Sequence, residues 1–331
     1  MFEGTRILIT GGTGSWGQQL AKRLLRENPE EIRVLSRNEF ALVTMERSLA
    51  DPRLTFLIGD VRDLTAVGRA CENVDYVFHL AALKHVPICE RQPEEAIQTN
   101  IKGTENVIRA CIASRVKKVV DVSTDKAVDP INLYGMTKAV GEKLVIHADT
   151  LSPFTRFFCI RGGNVLGTNG SVVPMFREQI LNNQVVTLTS RQMTRFLLTQ
   201  EDAIERLLQS MRAAIGGEIF VMNMKSCRMV DLVEILIERL ANQQINVREI
   251  GVRPGEKIHE VLVSASEAAR TRLLDENLYV ILPATGATDA HKTYHVLPSV
   301  SFDVYESGSS LMSRAEAEQL LEQGGFCRES E

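Results

Sequence analysis

Tyr134-Gly135-Met136-Thr137-Lys138 puts a phenol and an amine four residues apart, which is one face of a helix. A free phenol has a pKa of about 10 and is a poor base near neutrality. A neighbouring ammonium favours the phenolate, so the pair can take a hydroxyl proton while hydride leaves the same carbon. By itself Y-x-x-x-K is common and is mostly a surface pair. Ten residues before Tyr134 stands Thr124, inside Ser123-Thr124-Asp125-Lys126 at the end of the apolar run Val119–Ser123. Asp125-Lys126 reads either as an acid beside a base or as a surface ion pair worth little.

A second cluster lies near the N-terminus. Thr10-Gly11-Gly12-Thr13-Gly14-Ser15-Trp16-Gly17 follows a first strand and opens a first helix. Glycines at 11, 14 and 17 permit a tight turn, close backbone approach to a pyrophosphate and helix–strand contact, and the helix N-terminus offers N–H groups to the anion. This is a dinucleotide site. Ser36-Arg37 ends the second strand, where an acidic residue would bind the ribose hydroxyls of NAD. A hydroxyl followed by a guanidinium suits a 2′-phosphate, so the cofactor reads as NADP rather than NAD. Topology adds Asp60 and Val61 after the third strand and Ala81 and Ala82 after the fourth.

The elements that must position these groups alternate. Strands are expected at Arg6–Thr10, Ile32–Ser36, Leu54–Ile58, Tyr76–Leu80, Val119–Ser123 and Phe154–Ile160. Amphipathic helices are expected between them at Trp16–Glu27, Glu94–Ala113 and Tyr134–Ala148. That alternation predicts an α/β fold with a Rossmann-like, doubly wound parallel sheet over residues 1–160. Residues 161–331 carry helical runs at Val173–Asn182, Gln200–Ala214, Val230–Ala241 and Arg314–Gln323 among short strands. They predict a smaller α/β substrate lobe, with some elements returning to the main sheet.

With 331 residues, 44% hydrophobic and 24% charged, the chain can bury a core without disulfides or metal. A formal net charge of -4 and no basic run leave no footprint for nucleic acid or an anionic membrane. No apolar stretch nears the roughly 20 residues of a membrane helix, and no leader is visible, so a cytoplasmic protein is expected. The six cysteines show no C-x-x-C pair and read as packed thiols. His291 and His295 are four apart but lack a companion carboxylate in what reads as a loop, so no metal site is expected.

Taken together, TGGTGSWG, LSRNE, HLAALKHVPICE, TNIKGTENV, STDKAVDPINLYGMTK, GGNVLGTNGSVVP, QMTRFLLT and GVRPGEKIHE resemble the extended short-chain dehydrogenase/reductases. Within them the chain is similar to the CapD/PseB-like polysaccharide-biosynthesis group. The resemblance implies a UDP-N-acetylglucosamine 4,6-dehydratase that inverts C5, with tightly bound NADP regenerated each cycle and a homo-oligomer of two to six chains. Thr124 and Tyr134 would hold the sugar 4-hydroxyl, Tyr134 being the base and Lys138 its companion. Lys126 would remove the C5 proton and Asp125 would protonate the departing C6 hydroxyl. Asn100 would fix the catalytic lysine beside the cofactor. Lys84, Asn164, Arg195, Arg253 and Glu256 would hold the UDP-sugar. His85 and His259, inside these motifs, read as structural hydrogen-bonding groups.

Two residues depart from the family's pattern. Gly162 stands where an aromatic is expected, and Trp16 where Phe is usual. Other readings are a UDP-sugar 4- or 5-epimerase and a non-catalytic NADP-sensing protein. Lys126 argues against a simple 4-epimerase, and the intact Tyr134 and Lys138 against a sensor.

Overall fold

The computed structural model describes residues 1–168, 171–182, 185–284 and 289–327. Its main sheet is built from β1 (Arg6–Thr10), β2 (Glu31–Ser36), β3 (Leu54–Ile58), β4 (Tyr76–His79), β5 (Lys118–Thr124), β6 (Arg156–Gly162), β7 (Ile219–Met222), β8 (Thr271–Leu273) and β9 (Leu278–Ile281). The spatial order is β8-β9-β7-β6-β5-β4-β1-β2-β3. From β3 to β7 every pairing is parallel, and the central strands are apolar on both faces, as in Ile7, Leu8 and Ile9 of β1. The far edge departs from the all-parallel expectation. β9 runs antiparallel to β7 and β8 antiparallel to β9, because a tight turn joins β8 to β9 without a crossover.

Strand order reverses between β1 and β4, which opens a crevice at the C-terminal strand ends. Beyond β6 the chain builds a smaller lobe. Its three-stranded sheet joins Asn164–Val165, Thr194–Leu198 and Ser226–Arg228. A separate core there gathers Val173, Phe176 and Ile180 with Leu232, Val233 and Leu236 from helix Met229–Leu240. Helix Gln200–Ala213 and β7 to β9 pack into the main core.

Two departures from the expected bounds have a visible cause. β6 starts at Arg156, because Ser152 Oγ accepts the N–H groups of Phe154 and Thr155 and turns the chain there. Phe154 is left outside, under the Arg115 guanidinium at 4.5 Å. The stretch expected as one helix over 94–113 is broken into Pro93–Ile97, a π-helical turn Gln98–Lys102 and Gly103–Ala113. The added residue in the π turn swings Asn100 inward, a device frequent near functional sites.

Candidate active site

The C-terminal ends of β1 to β6 line one cavity of about 590 Å³. On its nucleotide side Gly11 adopts φ +66°, and a Cβ there would lie 2.7 Å from Ala81 Cα. A Cβ on Gly17 would come within 2.3 Å of Gly12 O, so helix Ser15–Leu25 can only start this close to the turn with glycine. That helix has no side-chain N-cap, and its N-terminus points the positive end of its dipole to where an anion can meet it. Gly11, Gly14, Ser15, Trp16, Gly17, Ser36, Arg37, Asp60, Val61, Ala81 and Ala82 all border the cavity.

Thr13 is not on the wall. Its hydroxyl shares a hydrogen bond with Ser36 Oγ at 2.8 Å and ties the turn to the end of β2. Arg37 is half exposed, 3.9 Å from the Asp60 carboxylate, which Arg62 already holds at 2.7 Å. The guanidinium is therefore turned to the rim, where a phosphate can meet it.

At the other side β5 ends in Thr124, and a 3₁₀ turn, Asp125–Ala127, carries the acid–base pair. Helix Leu133–Leu151 begins beside it, with Asn132 accepting the N–H of Gly135 at 2.8 Å as its cap. Gly135 packs on the turn so closely that a Cβ would stand 2.1 Å from Lys126 O. This contact brings Tyr134 to the same lip as Thr124, Asp125 and Lys126. Thr124 Oγ1 donates to Asp125 Oδ1 at 2.9 Å, and Lys126 Nζ reaches the same oxygen at 3.0 Å.

The electrostatics separate the groups. Burial disfavours the charged form of Lys126, but Asp125 and Glu260 outweigh it and raise the amine's pKa despite Arg195 nearby. Burial likewise pushes the Tyr134 phenol up, and Lys138, Lys126 and Thr124 pull it down without cancelling the rise. Lys138 gives both its contacts to Asp121, at 3.0 and 3.1 Å. His79, buried beside Asp121, is pushed down to about 4 by burial.

The residues expected to hold substrate divide. Lys84 and Asn164 face the cavity. Arg195 does not; it is 8% exposed, donates to Thr194 O and Ile258 O, and lies 3.8 Å from Glu260. Arg253 and Glu256 sit on the loop after Val247–Glu249, away from the cavity wall, with Arg253 exposed. Asn100 is off the wall too. Its side chain brackets Leu83, accepting from the N–H at 2.8 Å and donating to the C=O at 2.9 Å, and it donates to Thr137 rather than meeting Lys138.

Gly162 borders the cavity, and the space a side chain would claim is filled by Met222, whose sulfur lies 3.0 Å from an ideal Cβ. His259 pairs with Thr194 Oγ1 at 2.8 Å, while His85 lines the cavity. His291 lies in a short helix, Asp289–Tyr294, instead of a loop, and no cluster of metal-ligating side chains occurs among the described residues. The cysteines are unbridged, five of them buried.

Buried polar atoms without a hydrogen-bond partner among the described residues gather around this cavity. They include Thr99 Oγ1, Asp125 Oδ2, Asn164 Oδ1 and Ser171 Oγ on its wall, and Glu260 Oε2 behind it. Such atoms are rare in folded proteins, and the four on the wall fit a polyhydroxylated ligand whose O–H groups would donate to them. Thr99, Asp121 and Glu260 are not singled out by spacing; Asp121 and Glu260 are recruited by ion pairs with Lys138 and Lys126, and Thr99 by its place on the wall.

A family model described as polysaccharide biosynthesis protein matches residues 7–282. An uncharacterized membrane protein of Methanocaldococcus jannaschii is 45% identical over 84% of this chain and 85% of its own. A UDP-N-acetylglucosamine 4,6-dehydratase (inverting) of Campylobacter jejuni is 40% identical, covering 89% of this chain and 88% of its own. A UDP-glucose 4-epimerase of Rickettsia bellii is 41% identical with the same coverage. The solved structure of Pen from Bacillus thuringiensis superposes with a TM-score of 0.91 at 37% identity, covering 98% of this chain and 99% of that one.

Proposed function

The chain belongs to the polysaccharide biosynthesis protein family, and from that premise we propose that it dehydrates UDP-N-acetylglucosamine across C5 and C6, inverting C5. The observation that carries this reading is the Asp125–Lys126 pair, 3.0 Å apart on the same lip as Tyr134, with Asp125 Oδ2 unpaired. The likeness to an inverting dehydratase supports it. A 4-epimerase, which the Rickettsia relative is called, has use for Tyr134 but none for a second acid–base pair.

The glycine turn, the open N-terminus of helix Ser15–Leu25 and the Ser36–Arg37 rim support NADP as the dinucleotide. Held by that turn, helix and rim, the dinucleotide would supply the hydride acceptor for C4 and the hydride donor for C6. Tyr134, oriented with Thr124, takes the 4-hydroxyl proton. The ketone then acidifies the hydrogen on C5. Shifting one proton from Lys126 Nζ to Asp125 across their 3.0 Å contact makes a free amine and a carboxylic acid together. Lys126 then removes the C5 proton while Asp125 protonates the departing C6 hydroxyl, and the original ion pair is restored. The cycle closes when C5 regains a proton from the opposite face and Tyr134 sheds the one it took.

Lys84 and Asn164 face the sugar-nucleotide side of the cavity. Exposed Ile97, Met136 and Val140 on the helices around the site support a homo-oligomer. No helix among the described residues is long and apolar enough to cross a membrane.

The test is UDP-N-acetylglucosamine turned over in deuterated water and followed by NMR. A 4-keto-6-deoxy product with deuterium at an inverted C5 is expected. An intact hexose changed only at C4 would replace this reading with the epimerase, and no turnover of any UDP-sugar would leave a non-catalytic NADP-binding protein.

A further inference from the structure

Glu260 is 2% exposed and borders no part of the cavity, yet one of its oxygens is 3.2 Å from Lys126 Nζ. Its backbone is clamped: Glu260 N–H donates to Ser307 Oγ at 2.9 Å, and Ser307 N–H donates to Glu260 O at 2.8 Å. Ser307 Oγ in turn shares a hydrogen bond with Thr194 Oγ1 at 2.7 Å. On the far side the same Glu260 oxygen lies 3.8 Å from Arg195 Nε, while its other oxygen has no hydrogen-bond partner among the described residues. Four formal charges, those of Asp125, Lys126, Glu260 and Arg195, thus alternate in a row that starts at the cavity wall and runs inward.

We propose that Glu260 is a positioning residue for Lys126, aiming its amine beside Asp125 and stabilising the ammonium that forms as Lys126 takes a proton from carbon. This rests on the dehydratase reading. The logic is that of any buried carboxylate behind a general base. It fixes the base in one orientation, and it stabilises the cation the base becomes without being protonated itself. Asp125 enters that step as the neutral acid that protonates the C6 oxygen, so Glu260 is the carboxylate whose charge faces Lys126 from the start. Arg195 lies 3.8 Å from Glu260 and gives this buried carboxylate a counter-charge, which is a use for this arginine different from gripping a diphosphate.

The groups facing Lys126 are Asp125, Glu260, Arg195 and the Tyr134 phenol. Glu260 favours the charged amine and Arg195 disfavours it, so neutralising Glu260 leaves the amine easier to deprotonate. For Glu260→Gln in the NADP-loaded enzyme, dehydration of UDP-N-acetylglucosamine falls roughly 10- to 10³-fold in kcat with KM little changed. The limb on which dehydration rises with pH moves to lower pH. Single-turnover oxidation at C4, read as NADPH absorbance, stays close to wild type. Glu260→Asp, which keeps the charge, recovers part of the rate and the original pH limb.

An unchanged rate and pH profile in a folded Glu260→Gln protein would overturn the assignment while leaving the dehydratase reading intact. So would an equal loss of C4 oxidation and dehydration, which marks a merely structural role. A wild-type protein that epimerises C4 without hydrogen exchange at C5 would overturn both.

Discussion

Lys138 and Lys126 are both amines that act on Tyr134, and the fold holds them in opposite ways. Lys138 lies inside the molecule, 4% exposed, with both Asp121 oxygens on its ammonium. Lys126 stands at the cavity wall, 23% exposed, between single oxygens of two carboxylates. For Lys138 burial opposes the charge and Asp121 overcomes it, so the ammonium is a fixed element of the site. The same two effects act on Lys126, but one of its partners, Asp125, has a free oxygen on the cavity side and can take the proton. The difference teaches that a lysine's chemistry follows from its counter-ions. A lysine paired once and sealed is a charge; one paired twice beside a cavity is placed for the role of base proposed for Lys126.

The largest expected effect separates the two amines by the step they serve. Lys126→Ala should reduce dehydration by about 10²- to 10⁴-fold, the usual contribution of a general base. C4 oxidation should persist, seen as bound NADPH that accumulates without release of a 6-deoxy product. Should the variant dehydrate at the wild-type rate, Lys126 is no base and the contrast with Lys138 is empty.

The contrast also marks what the residues reveal before folding. The alternating apolar runs and the glycine turn are local signals, and β1 to β6 fall within two residues of the expected bounds. The Tyr134–Lys138 face and the Asp125–Lys126 pair are equally local, so the cavity's lip is legible. Their counter-ions are not. Asp121 reads as an odd carboxylate in the β-branched strand KVVDVST, and Glu260 as the last letter of a polar loop. Each acquires its meaning only when a strand register or the Val261–Val263 pairing with Tyr305–Glu306 brings it to an amine. Asn100 is half legible: its motif implies a link to the lysine through a water or the backbone, and folding adds side-chain bonds to Leu83 and Thr137.

A smaller effect, on stability, sharpens the comparison from the carboxylate side. Asp121→Asn leaves a buried ammonium without its counter-charge, at a cost of about 3–5 kcal/mol, measurable by urea titration. Glu260→Gln leaves Lys126 with Asp125 and with access to the cavity, so its loss should be clearly smaller. Equal losses would mean that Lys126 is as sealed as Lys138.

The smallest effect comes from His79, which flanks the sealed pair and hydrogen-bonds Thr10 at 2.7 Å and Thr104 at 3.1 Å. Its folded pKa of about 4 lies below the ordinary value of 6.5, because burial penalises the imidazolium. Between those two values the unfolded chain binds a proton that the folded chain refuses, so this residue makes stability fall as pH falls. A gap of that size amounts to about 3 kcal/mol once pH is well below 4. Subtracting the stability of His79→Gln from that of wild type at each pH isolates the contribution. The difference should be flat above about pH 7 and decline steadily below it. A difference that stays flat down to pH 4 would mean that water reaches the Lys138 side as freely as it reaches Lys126.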